Sequence, residues 1–267
     1  MTKTEVLKEA EGVFGFVPGF IKESPKYEVE AMWGLFRDLV VRDGAIPRKY
    51  KLLIQIGVGA VLHDQYRLYA DTEQAKAHGA SPDEIREAVA IVGEMALFST
   101  WLNGYNFDLD TFKREVLAML EGMKRLKALP ARGRLETREE IYRDAEAIFG
   151  LVPGFIREVP DVALRHLYRF FRGVELEQTL IPDKYKVLIS LAAASVIPCR
   201  YCILADTEFA RLVGASDGEI KEAILLAARV RNFGTMIYGT QYDLETFKKE
   251  MRGIAEALKK RVPARVR

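Results

Sequence analysis

The chain contains two copies of one sequence, and this internal repeat constrains the fold more than any other feature. Phe149 lies 135 positions after Phe14 (149 − 14), and the same offset aligns the second half with the first without a gap. Four pairs of segments show the match: FGFVPGFI at 14–21 with FGLVPGFI at 149–156, IPRKYK at 46–51 with IPDKYK at 181–186, ADTE at 70–73 with ADTE at 205–208, and DLDTFK at 108–113 with DLETFK at 243–248. Self-similarity at a fixed offset predicts two units of the same architecture. We expect repeats at residues 1–124 and 137–267, joined by a linker at 125–136 that contains proline and glycine.

Hydrophobic periodicity predicts an all-α fold. Apolar residues recur at three- and four-residue spacing within each repeat, and period-two alternation is scarce. Each repeat contains a helix-ending glycine, then a serine N-cap with a glutamate three positions later: Gly79, Ser81 and Glu84 in the first, and Gly214, Ser216 and Glu219 in the second. Pro47 and Pro182 mark helix starts. We expect five to seven helices per repeat, and each repeat is long enough to bury its own core.

Composition argues against nucleic-acid and membrane partners. Forty basic and 38 acidic residues leave a formal charge of +2. Basic runs at 124–127 and 259–267 stand where a repeat ends, which favours frayed helix ends over a nucleic-acid patch. No apolar run approaches the ~20 residues that span a bilayer, and the N-terminus lacks the apolar stretch of a signal peptide. A cytoplasmic, reducing location is therefore expected.

The two cysteines of the chain, Cys199 and Cys202, both lie in the second repeat. Under the offset they replace Asp64 and Arg67, so any thiol chemistry belongs to the second repeat. In a reducing compartment such a pair is typical of a redox or metal site rather than of a structural disulfide. A zinc site needs about four ligands, and none of the three histidines has ligand-like spacing. We expect neither a metal nor a cofactor.

The position of the cysteines predicts a reactive thiol. The apolar run at 183–196 predicts a buried helix, and helical periodicity resumes just after the cysteines. Cys199 should lie at or just before a helix N-terminus, and Cys202 one turn inside, with Arg200 as a nearby cation. A helix N-terminus stabilises a thiolate, which can attack a peroxide or a disulfide while its partner resolves the product. Asp206, one turn later, could accept a proton through a water. Its counterpart Asp71 has no thiol beside it, which favours a structural hydrogen bond instead.

The order of elements resembles the AhpD-like superfamily, which includes carboxymuconolactone decarboxylases. The resemblance rests on Gly-x-x-Pro at 15–18 and 150–153, a Pro-led helix, the Cys-x-x-Cys pair and the segment 214–220, and it covers nearly the whole chain. It implies a helical bundle in which Cys202 attacks peroxide and Cys199 resolves the product. The peroxidase branch has a glutamate and a histidine where this chain has Val187 and Asp206, so slow turnover is expected. Single-copy relatives form trimers or hexamers, which implies a trimer of this two-copy chain.

Two functions remain open at this stage. The first is a dithiol oxidoreductase that reduces peroxides, another small-molecule substrate or the disulfide of a partner protein. A separate thiol–disulfide protein would be its electron donor. The alternative is a non-enzymatic helical binding or assembly protein with relic cysteines. A decarboxylase is a weaker interpretation, because no lactone-binding set of basic and histidine residues is evident.

Overall fold

The all-α prediction is confirmed. A computed structural model describes residues 1–42 and 44–259, which form fourteen α-helices and two π-helical turns and contain no β-strand. The first repeat comprises α1 (Lys3–Phe14), α2 (Gly19–Glu23), α3 (Lys26–Phe36), a π-helical turn (Arg37–Val41), α4 (Arg48–Val61), α5 (Gln65–Ala77), α6 (Pro82–Tyr105) and α7 (Leu109–Lys124). The second comprises α8 (Arg138–Phe149), α9 (Gly154–Arg157), α10 (Asp161–Phe171), a π-helical turn (Arg172–Leu176), α11 (Asp183–Val196), α12 (Arg200–Leu212), α13 (Asp217–Gly239) and α14 (Leu244–Lys259).

The helix starts follow from local chemistry. Ser81 and Ser216 are the N-caps of α6 and α13, and each forms the predicted capping box with the glutamate three positions later. Gly79 and Gly214 have φ angles of 81° and 84°, in the left-handed region that glycine adopts without strain. These interactions satisfy backbone groups that a helix end leaves unpaired, which is why the bounds could be predicted locally.

Two equivalent helices, α4 and α11, form the centre of the molecule. They pack against each other, and each also contacts both long helices, α6 and α13. The rings of Tyr50 and Tyr185, at the start of these helices, stack with centroids 3.6 Å apart and planes 11° apart. The repeated tyrosines therefore serve helix packing.

The last helix of each repeat packs on the other repeat. Helix α7 contacts α8 and α12, whereas α14 contacts α1 and α5. Helix α6 has 24 residues and is therefore about 36 Å long, so it crosses α11 and places α7 on the second repeat. We expected each repeat to bury a core of its own; instead each core is completed by a helix from the other copy. The predicted boundaries at 124 and 137 remain a prediction.

Equivalent hydrogen bonds hold the exchanged helices. Tyr66 on α5 donates its hydroxyl proton to the carbonyl oxygen of Tyr242, at 2.5 Å, just before α14. Tyr201 on α12 makes the same bond to the carbonyl of Phe107, just before α7. The same hydroxyl hydrogen bond therefore links the two repeats at both equivalent positions.

The glycine that follows each Gly-x-x-Pro motif donates a hydrogen bond to a carboxylate of an exchanged helix. The N–H of Gly19 donates to Glu250 Oε1 at 2.7 Å, and the N–H of Gly154 donates to Glu115 Oε2 at 2.9 Å. A Cβ at Gly154 would lie 2.9 Å from Glu115 Oε1, so glycine permits this close approach. The glycine directly after each Gly-x-x-Pro motif is thus part of the contact between repeats.

No α-helix within residues 1–42 and 44–259 is long and apolar enough to cross a membrane. Most of the basic run at 259–267 lies outside the described residues. The cytoplasmic location stays a prediction.

Candidate active site at the dithiol

Cys199 is the N-cap of α12. Its Sγ accepts a hydrogen bond from the backbone N–H of Cys202 at 3.2 Å. In the first repeat Asp64 is the N-cap of α5, and its Oδ1 accepts from the N–H of Arg67 at 3.0 Å. The sulfur therefore takes the place of a carboxyl oxygen, at a position whose free N–H groups and helix dipole favour negative charge.

Cys199 and Cys202 are joined by a disulfide. Their Cα atoms lie 5.4 Å apart, within the usual range for a disulfide. Cys199 is 0% exposed and Cys202 is 8% exposed. Asn103, from α6 of the first repeat, approaches Cys199 Sγ with its Nδ2 at 3.6 Å. The predicted location of both cysteines is confirmed, and Cys202 is the more accessible of the two.

A cavity of about 1060 Å³, including its mouth, lies beside Cys202. Its polar wall contains Ser190 and four carboxyl groups, those of Glu94, Glu175, Asp183 and Asp206. The remaining wall is largely apolar and draws on both repeats: Met95, Phe98, Leu102, Phe112, Val116, Met119, Met123, Phe155, Phe171 and Phe209. The exchanged helices α6 and α7 therefore form much of the site.

Asp206 lies on the wall of the same cavity as Cys202. The Ser190 hydroxyl donates to Asp206 Oδ2 at 2.7 Å. Burial raises the pKa of Asp206 well above its ordinary value, and the charge of Glu175 raises it further, while the Ser190 hydrogen bond opposes the change. Its counterpart Asp71 pairs instead with the Arg67 guanidinium. The hydrogen bond expected of Asp206 is present, and the carboxyl is held in a form that can carry a proton.

Glu94 and Glu175 form a second acidic group that sequence reasoning missed. Burial raises the pKa of Glu175 to about 7, although a side-chain hydrogen bond with Glu94 and the charge of Lys186 lower it. Burial and the charges of Glu175 and Asp206 raise the pKa of Glu94 well above its ordinary value. Like charges at close range cannot both ionise cheaply, so the pair retains a proton at neutral pH.

The repeat itself carried a signal for these residues. Under the offset of 135, Glu94 faces Arg229 and Glu175 faces Val40. A change of charge between otherwise matching copies marks a position where the two sites diverge. Glu94 was overlooked because it belongs to the copy without cysteines.

Two other sequence-predicted positions have plain outcomes. Val187 lies on the cavity wall, so the position that the resemblance assigns to a glutamate is apolar here. Arg200 is exposed. In the part of the chain that the structure describes, no three His, Cys, Asp or Glu side chains are grouped to hold a metal ion.

An all-α tandem repeat with a cysteine pair at a helix start defines the class of this protein, a duplicated AhpD-like helical protein. The sequence profile of the carboxymuconolactone decarboxylase family matches residues 27–107 and again 163–241, so the chain belongs to that family. The match confirms the duplication, and α7 and α14 lie outside both matched ranges. No curated protein matches the chain, and no solved structure does.

Proposed function

We propose that the protein is a dithiol oxidoreductase that reduces peroxides through Cys202 and Cys199. One observation carries the proposal. The Cys199 sulfur caps a helix in place of a carboxylate, while Cys202 opens to a cavity that holds three carboxyl groups with raised pKa values. This arrangement supplies an accessible nucleophile, a stabilised partner thiolate and proton donors.

Peroxide reduction would begin at Cys202. Its thiolate attacks one peroxide oxygen and the O–O bond breaks, so that Cys202 becomes a sulfenic acid and the other oxygen leaves as alkoxide. The alkoxide takes a proton and becomes the alcohol. The Cys199 thiolate then attacks the Cys202 sulfur, which forms the disulfide and releases hydroxide, and this takes a second proton to give water. The two thiols are oxidised by two electrons and the peroxide is reduced by two.

The carboxyl groups would supply those protons. A carboxyl whose pKa is raised towards neutrality donates at pH 7, where an ordinary carboxyl is ionised. Glu175 has the best-matched pKa, and its Oε1 has no hydrogen-bond partner among the described residues. Glu175 would donate its proton to the leaving oxygen and then take a proton from Glu94. This pair would perform the task that the resemblance assigns to the glutamate and histidine missing at Val187 and Asp206.

An external dithiol would return the site to its reduced form. Its thiolate attacks the accessible Cys202 sulfur, and Cys199 leaves as a thiolate stabilised at the helix N-terminus, since a better-stabilised thiolate leaves faster. A second attack, by the donor's other thiol, releases the donor as a disulfide. The apolar cavity walls favour an organic hydroperoxide over hydrogen peroxide as the substrate.

The test is oxidation of the reduced protein by cumene hydroperoxide, followed by mass spectrometry. The wild type should consume one equivalent and lose two hydrogens. Cys199→Ser should stop at the sulfenic acid, and Cys202→Ser should consume no peroxide. Glu175→Gln should slow oxidation by about 10²–10⁴-fold, the contribution of a general acid, whereas Glu121→Gln on the exposed end of α7 should have no effect.

The same experiment decides the alternative function. If both wild-type thiols stay free, or if the Glu175 and Glu121 variants behave alike, the peroxidase proposal is wrong in whole or in its proton relay. If the thiols do not react, the remaining hypothesis is the non-enzymatic helical binding or assembly protein with relic cysteines.

We also propose that three chains assemble, as the resemblance implies. Val89 on α6 and Ile224 on α13 are equivalent positions, and both are apolar and exposed, at 41% and 37%. Light scattering should give about three times the 30.2 kDa chain mass. A monomer at micromolar concentration would overturn this assembly.

A further inference from the structure

A second cavity lies in the first repeat, at the position equivalent to the dithiol cavity. It has a volume of about 870 Å³, including its mouth, and α13 and α14 of the other repeat form part of its wall. Six aromatic side chains line it: Phe14, Phe20, Trp33, Phe36, Phe233 and Phe247. The duplication has therefore kept the cavity although it lost the cysteines.

Two guanidinium groups lie together in this cavity. Arg67, only 3% exposed, stands at the position of Cys202, and Arg229 stands at the position of Glu94. Gln55 Oε1 accepts from Arg67 Nη2 and from Arg229 Nη1, both at 3.0 Å. The Arg229 guanidinium also lies over the ring of Phe36, 4.8 Å from its centroid.

The positive charge of the pair is only partly balanced. Asp71 forms an ion pair with Arg67, but within the described ranges no carboxylate forms one with Arg229. Burial, and then the charge of Arg67, lower the pKa of Arg229 to about 9, while the charge of Asp71 opposes the change. Glu28 lies elsewhere on the wall, and burial raises its pKa, which weakens its negative charge. Asp71 therefore faces two guanidiniums, so one of the two positive charges has no carboxylate of its own among the residues that the structure describes, and a desolvated charge that is not compensated is costly.

Hydrogen-bonding atoms in the polar cluster behind the cavity wall also lack partners. Arg67 Nε and Gln55 Nε2 are both fully shielded from solvent, and neither has an acceptor among the described residues. Asp71 Oδ2 in the same cluster also lacks a partner within the described ranges, so the polar groups around the two arginines are incompletely satisfied, whereas buried polar groups nearly always are satisfied. A guanidinium offers a planar fork of donors that fits a carboxylate.

We infer that the cavity of the first repeat binds a small organic monocarboxylate, with its carboxylate between Arg67 and Arg229 and its apolar body among the aromatic rings. The anion supplies a second negative charge beside the two guanidiniums, which have only Asp71 between them. This inference does not rest on the redox function, since no cysteine takes part. The dithiol cavity cannot accept the same ligand, because it is lined by four carboxyl groups, whereas this cavity is lined by two guanidiniums.

The test is calorimetric titration of the full chain, in its disulfide form, with 4-phenylbutyrate and with the neutral 4-phenylbutanol. The carboxylate should bind one site per chain with a dissociation constant below about 1 mM, and the alcohol should bind at least about tenfold more weakly. Equal affinities, or no heat of binding with either, would overturn the inference.

A matched pair of variants locates the site. Arg229→Met should weaken 4-phenylbutyrate binding by about tenfold or more, whereas Glu94→Met, at the equivalent position in the dithiol cavity, should not weaken it. The Arg229→Met variant should also unfold at the same temperature as the wild type or higher, because the substitution relieves repulsion from Arg67. If the arginine had only a structural role, its removal would lower the unfolding temperature. The reverse pattern of affinities would place the ligand in the dithiol cavity and contradict us.

Tryptophan fluorescence gives a second readout of place. The two tryptophans are Trp33, on the cavity wall, and Trp101, which stacks on Tyr105 elsewhere. In a Trp101→Phe variant the remaining signal comes from Trp33 alone, and 4-phenylbutyrate should change its intensity with the calorimetric midpoint. An unchanged Trp33 signal during saturable binding would rule this cavity out.

Discussion

Glu94 and Arg229 occupy equivalent positions on α6 and α13, and each lines the cavity of the opposite repeat, one with a carboxyl group and the other with a guanidinium. The two cavities therefore share one architecture but differ in electrostatics. Because each long helix crosses into the other repeat, a substitution in one copy changes the chemistry of the other. Duplication within one chain permits this asymmetry, which a symmetric dimer of single copies cannot have.

We predict that Glu175→Gln stabilises the protein at pH 8 more than at pH 4.5. Burial raises the folded-state pKa of Glu175 to about 7, above the ordinary value of 4.5. Between these values the folded state holds a proton that the unfolded state has released, so wild-type stability falls as pH rises from 4.5 to 7 and then levels. Glutamine abolishes this contribution. Urea unfolding at several pH values measures this contribution to the free energy of unfolding. If the difference in that free energy between variant and wild type does not change with pH, the assignment is wrong. Glu121→Gln, at an exposed position, is the control.

A second prediction concerns Gly234, which touches the N-cap of α5. A Cβ on Gly234 would lie 3.0 Å from Asp64 Cγ. Alanine has a helix propensity about 1 kcal/mol more favourable than glycine. Overpacking costs about 1–3 kcal/mol, and loss of the N-cap hydrogen bond costs about 0.5–2 kcal/mol. We therefore expect Gly234→Ala to lower the free energy of unfolding by about 1–3 kcal/mol. Gly93→Ala is the control, because this exposed helical glycine has nothing within 4 Å of its Cβ position.

A second substitution, at Asp64, tests why Gly234→Ala destabilises the protein. Asp64→Ser keeps an N-cap with a shorter side chain, so it should recover much of the loss caused by Gly234→Ala in a double-mutant cycle. Additive effects of the two substitutions in thermal unfolding would show that the contact with Asp64 is not responsible. Gly93→Ala alone should stabilise by about 0.5–1 kcal/mol.

The parts of the fold that could be predicted from the sequence depend on neighbours along the chain. The bounds of α11, the serine caps and the location of Cys199 at a helix start are all consequences of side chains within a few residues. The exchange of α7 and α14 could not be predicted, because their apolar faces match and suit either core. The acidic pair was missed for the same reason: Glu94 meets Glu175 only after α6 has crossed between repeats.

Substitution of Lys51 should destabilise the fold more than substitution of an exposed lysine, because the side chain of Lys51 is buried. Its Nζ lies 2.8 Å from the carbonyl of Leu39, 3.1 Å from that of Arg42 and 2.5 Å from Glu222 Oε1. Lys51→Met would leave two carbonyls and a carboxylate without this partner, which costs about 3–5 kcal/mol. Lys76→Met, which removes an exposed pair with Glu73, should cost at most about 1 kcal/mol. Similar midpoints for the two variants in urea would contradict the proposed role of Lys51.

The last prediction is that the second repeat does not fold as a stable monomer when expressed alone as residues 137–267. It lacks α6 and α7, and therefore loses the cavity wall formed by Phe98 and Phe112 and the hydrogen bond from Tyr201 to the carbonyl of Phe107. Its own α14, freed from α1 and α5, matches α7 and can take the place of α7 on a second copy. We expect a dimer with exchanged helices, seen as a doubled mass in light scattering. A folded monomer as stable as the full chain would show that the exchange between repeats is dispensable.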